Sequence, residues 1–467
     1  MRILAFLPVW EQPEHLVAMA GAGHQVDVVT TTVQAPAAYL DGPVTVWPLG
    51  YWWQALQAVR PDVIVRYAGD RRAQRITADL RGVRVLVEQG DADVGEFRES
   101  CIRCLPAAER ESLLTPVPVD PLAGHGTRVV AWVHYGVPYR RAGSEVMLHT
   151  MMRALQAAGL GVLVVCSSMA EAPPSWEVDG VPYVHLGPYG AEMLIRRVEP
   201  DVVVTHHHYA PRATTFAKKV GARSVLLMHA DLPATARGIT ARPDLCVYNT
   251  EWVQASLAGQ YVEAVETPSM VVHPPVIPDE HRALTVGDAV TLVNLNRDKG
   301  VETWRAVARA LPHLPFLGVR GAHGQQVTDA MPANVRILAQ TSDMRDDVWA
   351  RTRVLVAPSV YESYGMGAVE AIASGIPVIA HPTPGLREAL GDAAQFIDRA
   401  DTGAWADAVA RLHEDGPDRE AATAAAFARS AYLAQRTARE LASWVDAIRA
   451  LAGEQVRRGA VGVPIRA

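Results

Sequence analysis

Two carboxylates, Glu362 and Glu370, stand seven residues apart around a turn that contains Gly365 and Gly367. The apolar run Val354-Leu355-Val356 leads into this turn, and a helical pattern of Met366, Val369, Ile372 and Ala373 leaves it. Such a turn belongs at the carboxyl end of a parallel strand, where open α/β sheets bind ligands. The glycines let backbone N–H groups approach an anion at the helix N-terminus, where the macrodipole also favours negative charge. Glu370, about a turn into the helix, is placed to accept two ribose hydroxyls, while Glu362 at the strand tip faces what lies beyond the phosphates. The chemistry implied is the holding of a nucleotide sugar.

The elements that must position these groups follow from pattern. Val59-Arg60-Pro61-Asp62-Val63-Ile64-Val65 recurs 139 residues later as Val198-Glu199-Pro200-Asp201-Val202-Val203-Val204. Gly82 to Gln89 recurs 140 residues later as Ala222 to His229. The strands Arg2–Phe6 and Arg128–Trp132 open the two copies, each followed by a helical stretch and a second strand (25–30 and 161–166). Strands alternating with helices predict parallel sheets. The expected organisation is a Rossmann-like unit over 1–120, a second over 126–278, a third over 285–430, and a terminal helix over 431–457 that crosses back to the second. Leu114 to Pro121 alternates proline as a stiff linker, and Pro274-Pro275 marks the next break.

Composition fits a multidomain α/β enzyme. The chain has 467 residues, 49% apolar and 20% charged, and a net charge of −6, which gives no general reason for nucleic-acid or bilayer binding. No apolar run reaches the ~20 residues of a membrane span. Met1 to Leu7 is short, has no small-x-small site after it, and reads as a buried strand. Four cysteines make no disulfide scaffold, so a reducing cytoplasm is expected. Cys101 and Cys104 lack a second pair for zinc, and Cys166 and Cys246 fall in strand patterns as core residues.

The string from Ala357 to Glu388 resembles the donor-binding signature of glycosyltransferase family 4, retaining enzymes of the GT-B fold. It carries Ala357-Pro358-Ser359, Glu362, Glu370-Ala371, Ser374-Gly375-Ile376-Pro377-Val378 and Gly385-Leu386-Arg387-Glu388. The resemblance implies two Rossmann-like domains facing a cleft, here with an additional N-terminal Rossmann-like domain that lacks the chemistry. It implies a nucleotide-sugar donor, a UDP- or GDP-sugar, held by Ser363, Tyr364, Gly365, Met366, Gly367 and Glu370. Lys299-Gly300 matches the family's phosphate-gripping lysine, whereas Asn294 stands where the family has arginine and Arg297 lies two residues before the lysine. Gly143 and Ser144 keep part of a Gly-Gly-x-Glu loop for the diphosphate. His229 matches a histidine that contacts the transferred sugar, and Gln340 to Met344 matches the segment whose backbone reads the base.

By the same resemblance, Glu362, Lys299 and His229 carry catalysis. The acceptor attacks from the leaving-group face, the donor's phosphate takes its proton, and neither cofactor nor metal is needed. His206-His207-His208 invites a metal reading, but three consecutive side chains on an extended strand alternate in direction and do not converge on one ion; the resemblance instead implies histidines at this strand end that border the acceptor cleft. Asp91-Ala92-Asp93 reads as a surface turn. The acceptor is a small molecule or a macromolecule such as hydroxymethylated DNA. A nucleotide-sugar-binding protein without turnover and a phosphorylase on the same fold are the competing readings.

Overall fold

The computed structural model describes residues 122–169, 172–321 and 324–460, and before them only Ala20 and the strand segments 2–7, 25–30, 39–41, 44–48, 63–67 and 84–88. The chain forms two compact units, Met1–Ala123 with Leu186–Val198, and Gly124–His185 with Glu199–Ala467. The short segment 186–198, expected within the second Rossmann domain, thus groups with the first unit. The linker 114–121, Gln89, the Asp91 turn, Cys101 and Cys104 lie outside the described residues.

The first unit has a six-stranded sheet of β1 (Arg2–Leu7), β2 (Gln25–Thr30), β3 (Tyr39–Asp41), β4 (Val44–Pro48), β5 (Val63–Tyr67) and β6 (Arg84–Glu88), in the order β3-β4-β2-β1-β5-β6. Only β3 and β4 pair antiparallel.

The second unit holds two sheets. The first contains β7 (Arg128–Val133), β8 (Gly161–Cys166), β9 (Ser175–Val178), β10 (Val181–His185), β11 (Val202–His206), β12 (Arg223–Met228), β13 (Leu245–Tyr248) and β14 (Ser269–Val271), in the order β14-β13-β12-β11-β7-β8-β10-β9. The repeat seen in the sequence is a repeat of topology: β2-β1-β5-β6 in one sheet has the same order as β8-β7-β11-β12 in the other. β7, β8 and β11 are almost wholly buried, which is why they read as continuous apolar runs rather than alternating ones.

The second sheet contains β15 (Ala289–Val293), β16 (Phe316–Val319), β17 (Val335–Leu338), β18 (Thr352–Ala357), β19 (Val378–Ala380) and β20 (Ala394–Phe396), all parallel, in the order β17-β16-β15-β18-β19-β20. In both sheets the first strand, β7 or β15, has chain running outward on either side of it. Each is a topological switch point, where loops at the strand ends part and leave a crevice.

The terminal helix is longer than the sequence pattern suggested, running unbroken from Pro417 to Ala460. Its Ala426 and Leu433 join the core of the β15–β20 domain. Its Trp444, Val445, Ile448 and Ala452 join the core of the β7–β14 domain, and Trp444 donates to the Met151 carbonyl (3.1 Å). One helix therefore ties the two domains together. Among the described residues no helix is long and apolar enough to cross a membrane.

Candidate active site

The site begins at the switch point of the β15–β20 domain. β15 and β18 are neighbours, so the loops after them, Asn294–Gly300 and Pro358–Gly365, rise side by side. Lys299 Nζ meets Glu362 Oε1 at 2.5 Å, and Ser359 Oγ donates to the same oxygen (3.0 Å). The loop holding Glu362 is shaped by two glycines. Gly365 has φ +92 and ends the loop as the N-cap of helix Met366–Ala373; a Cβ there would also meet Leu386 at 2.5 Å. At Gly385 a Cβ would collide with the backbone of Glu362 and Ser363. The closing Gly-x-x-Glu segment is thus a support for the loop that carries the acid.

The facing domain brings its own strand ends. Helix Gly143–Ala157 follows β7, His206 ends β11, His229 follows β12 and Asn249 follows β13. Ala142 and Gly365, the N-caps of the helices starting at Gly143 and Met366, have no polar side chain to cap the first amides. A Cβ on Gly143 would lie 3.3 Å from Met366 Sδ, so the two positive helix ends approach each other across the cleft. Both line a cavity of about 390 Å³ with Lys299, Glu362 and His229. A second cavity, about 400 Å³, shares Asn294, Lys299, Gly143 and Gly367 with the first and adds Glu370 and the Gln340–Met344 segment. Each lies within the ~300–1,000 Å³ range of small-molecule sites. The two glutamates of the signature therefore serve different ends of one hollow, Glu362 the first cavity and Glu370 the second.

Several predicted residues are deployed differently from expectation. Arg297 is exposed and lines neither cavity; the turn after β15 starts with Asn294 in the left-handed region (φ 71), and Arg297 falls on its outer side. Arg141 and Arg320, to which the sequence reading gave no role, line the second cavity instead. Both were visible as cations next to a loop start and a strand end. The Ser144 hydroxyl donates to Glu145 (2.9 Å), so its side chain is engaged beside the helix end. The Ser363 hydroxyl accepts from Asn249 Nδ2 (3.0 Å), and the Ser363 carbonyl accepts from Trp252 Nε1 (2.9 Å). Tyr364 is buried and its phenol oxygen accepts from Arg436 (2.8 Å), leaving its backbone to the cavity.

The clasp between the domains was not foreseen. Glu388 accepts from the amides of Glu251 and Trp252 at a helix start, and from His273, which also meets Glu440 of the terminal helix. Tyr361 donates to Asp231 (2.8 Å) nearby. Burial pushes the Glu370 carboxyl above its ordinary range; Trp349 Nε1 donates to it (3.2 Å) and Arg141 opposes the shift.

The histidines correct one expectation. His207 turns to φ 53 as the chain leaves β11 for a 3-10 turn. The alternation of an extended strand is broken there, and His206 and His207 converge with His229 rather than diverging. His206 Nδ1 and His229 Nε2 are 2.9 Å apart.

Two facing Rossmann domains, with a shared helix and a cleft at both switch points, define the GT-B fold, and the solved structures agree. Sucrose-phosphate synthase from Thermosynechococcus elongatus is similar over 71% of this chain and 99% of its own, at 17% identity and TM-score 0.52. Anabaena HepE in complex with UDP-glucose is similar over 70% of this chain and 100% of its own, at 15% identity and TM-score 0.54. Residues 284–415 match the family model described as "Glycosyl transferases group 1". Among curated relatives, a D-inositol 3-phosphate glycosyltransferase of Corynebacterium diphtheriae is 38% identical over 86 residues, 18% of this chain and 20% of its own. An O-antigen chain mannosyltransferase B of Escherichia coli is 34% identical over 83 residues, 18% of this chain and 22% of its own. The match thus spans about a fifth of the length of these relatives.

Proposed function

We propose that the chain is a retaining glycosyltransferase that moves a sugar from a nucleoside-diphosphate donor to a hydroxyl acceptor. The observation that carries this reading is the meeting of Lys299, Glu362 and two helix N-termini in one cavity, with Glu370 in the adjoining one. The diphosphate lies between the amides of Gly143-Ser144 and Met366-Gly367, with Lys299 beside it. Glu370 takes the ribose, and the Gln340–Met344 segment faces the base. Arg141 supplies the cationic charge that Arg297 does not.

In the transfer, the acceptor oxygen forms a bond to the anomeric carbon as the bond to the diphosphate oxygen breaks. The acceptor's proton passes to the departing phosphate, and attack from the same face keeps the configuration. The barrier falls mainly because charge gathering on the diphosphate meets preorganised donors. Glu362 faces the oxocarbenium-like sugar carbon, and no metal is required at the diphosphate. The complexes of Anabaena HepE with UDP-glucose and of the pneumococcal O-GlcNAc transferase GtfA with UDP and GlcNAc make a UDP-sugar the first donor to test.

A thermal-shift screen of UDP-, GDP- and ADP-sugars on the purified chain tests the reading, since a ligand of the native state raises stability by mass action. A positive donor that is slowly hydrolysed with retention at the anomeric carbon, followed by NMR, supports transfer. Binding without any turnover or hydrolysis points to the binding-protein alternative, and no binding by any sugar nucleotide overturns the assignment.

A further inference from the structure

Five imidazoles gather where β7, β11 and β12 end, and the family resemblance gives a place in the transfer to His229 alone. His134 has ring centroids 5.0–5.2 Å from those of His206, His207 and His208, and His206, His207 and His229 lie 4.7–5.1 Å from one another. One nitrogen from each of His206, His207 and His229 falls within 4.8 Å of the other two. His206 belongs as well to a second trio with His134 and Glu145. His206 is fully buried, and its Nε2 has no hydrogen-bond partner. An orphaned nitrogen in the interior is costly, and a cluster of bases with so little acid is an unusual thing to bury.

We infer that His206, His207 and His229 form a site for a divalent transition metal of the zinc type, with a further coordination position open to the sugar cavity. The donor set fits: imidazole nitrogen suits Zn, Co, Ni and Cu rather than Mg or Ca, and three histidines with one vacant position is the arrangement of an open zinc site. The open position follows from His207 and His229, which both line the cavity holding Lys299 and Glu362. With bonds of ~2.0–2.1 Å in a tetrahedron, ligand nitrogens stand roughly 3.3 Å apart. His206 Nδ1 and His229 Nε2 share a hydrogen bond of 2.9 Å, which must open before either of those atoms can bind the ion. Behind the trio, Glu145 is buried. His134 Nε2 lies 3.9 Å from Glu145 Oε1, placing a carboxylate–imidazole pair in the outer shell. The oxygen ligand expected at the open position is a hydroxyl of sugar or acceptor.

The site opens on the cavity that holds Lys299, but its readout does not depend on any donor being found. Full-length protein, freed of any affinity tag and stripped with a chelator, is titrated with Zn²⁺ by calorimetry and with Co²⁺ by visible absorption. One equivalent is expected, with the strong d–d bands of four-coordinate cobalt. His207→Ala, chosen because His207 is only partly buried, should weaken binding by about 100-fold or more, beyond the ~10–100-fold typical of losing an outer-shell partner. Lys299→Ala should leave metal affinity unchanged. Failure of the wild type to bind Zn²⁺ or Co²⁺, or equal affinity in His207→Ala, overturns the inference. If His207→Ala misfolds by circular dichroism, His229→Gln is read in its place against the same two outcomes.

Discussion

Lys299 and Glu362 occupy each other: the ammonium lies 2.5 Å from the carboxylate, and both side chains line the same cavity. They come from loops 63 residues apart, brought together because β15 and β18 are adjacent. On the proposed reading, a donor diphosphate competes with Glu362 for Lys299, and by winning it would release the carboxylate toward the sugar. Donor binding and the freeing of Glu362 would then be a single exchange of partners.

That exchange separates two substitutions. Lys299→Ala is expected to lower turnover by about 100- to 1,000-fold, the usual cost of one donor at a site of developing charge. Glu362→Gln removes the competitor, so UDP should bind as tightly as before or several-fold more tightly, while turnover falls. Calorimetry with UDP beside steady-state kinetics would read both, and weaker UDP binding in Glu362→Gln would refute the exchange.

If Glu370 takes the donor ribose as proposed, donor binding should depend on pH. Its carboxyl is raised by burial, whereas accepting two ribose hydroxyls calls for the charged form. Donor affinity should therefore decline as pH falls, at higher pH than an ordinary glutamate would dictate. Glu370→Ala should cost ~1.5–3 kcal/mol of donor affinity, roughly 10- to 100-fold, with little effect on kcat. An affinity profile flat down to pH 4 in the wild type would contradict this.

The fold of the β15–β20 domain was legible because its signature is local: strand, glycine turn and helix lie within one short stretch, and the spacing of Glu362, Glu370 and Gly385 follows from it. The order of the sheets was partly legible through the repeat. What escaped was everything that depends on two distant segments meeting. Asn249 bonding Ser363 spans 114 residues, and His273 bonding Glu388 spans 115. The convergence of His206 and His207 was missed for another reason. It rests on one positive φ in a residue that is not glycine, and a propensity-based reading assigns such a position to the extended region.

The clasp of His273 between Glu388 and Glu440 gives stability a pH window. Burial alone would lower the His273 pKa, but hydrogen bonds to the two carboxylates outweigh it and the value is raised. A histidine so raised stabilises fully below its unfolded value of about 6.5 and loses that contribution as pH climbs through its folded value. For Glu388 burial works upward, yet bonds from His273, Glu251 and Trp252 bring it below normal. Its contribution is present above about pH 4.5 and is lost as pH falls through the lower folded value. Tm should therefore be highest between these limits. His273→Gln should flatten the alkaline side, and a wild-type Tm insensitive to pH between 6 and 9 would remove the clasp from the account.

Gly385 tests whether the loop is held from behind. A Cβ there meets the backbone of Glu362 and Ser363, and backbone cannot swing aside as a side-chain tip does. Gly385→Ala should destabilise by ~1–3 kcal/mol, the usual cost of forcing extra volume into a packed interior. It should also displace Glu362, so kcat falls further than the loss of stability explains. Gly403→Ala supplies the comparison, because it lies in the first turn of helix Thr402–His413, where an added Cβ would meet nothing closer than Asp401 at 3.6 Å. Urea unfolding and kinetics on the two variants decide the matter: equal activity in both would mean that the position of Glu362 does not depend on the close approach at Gly385.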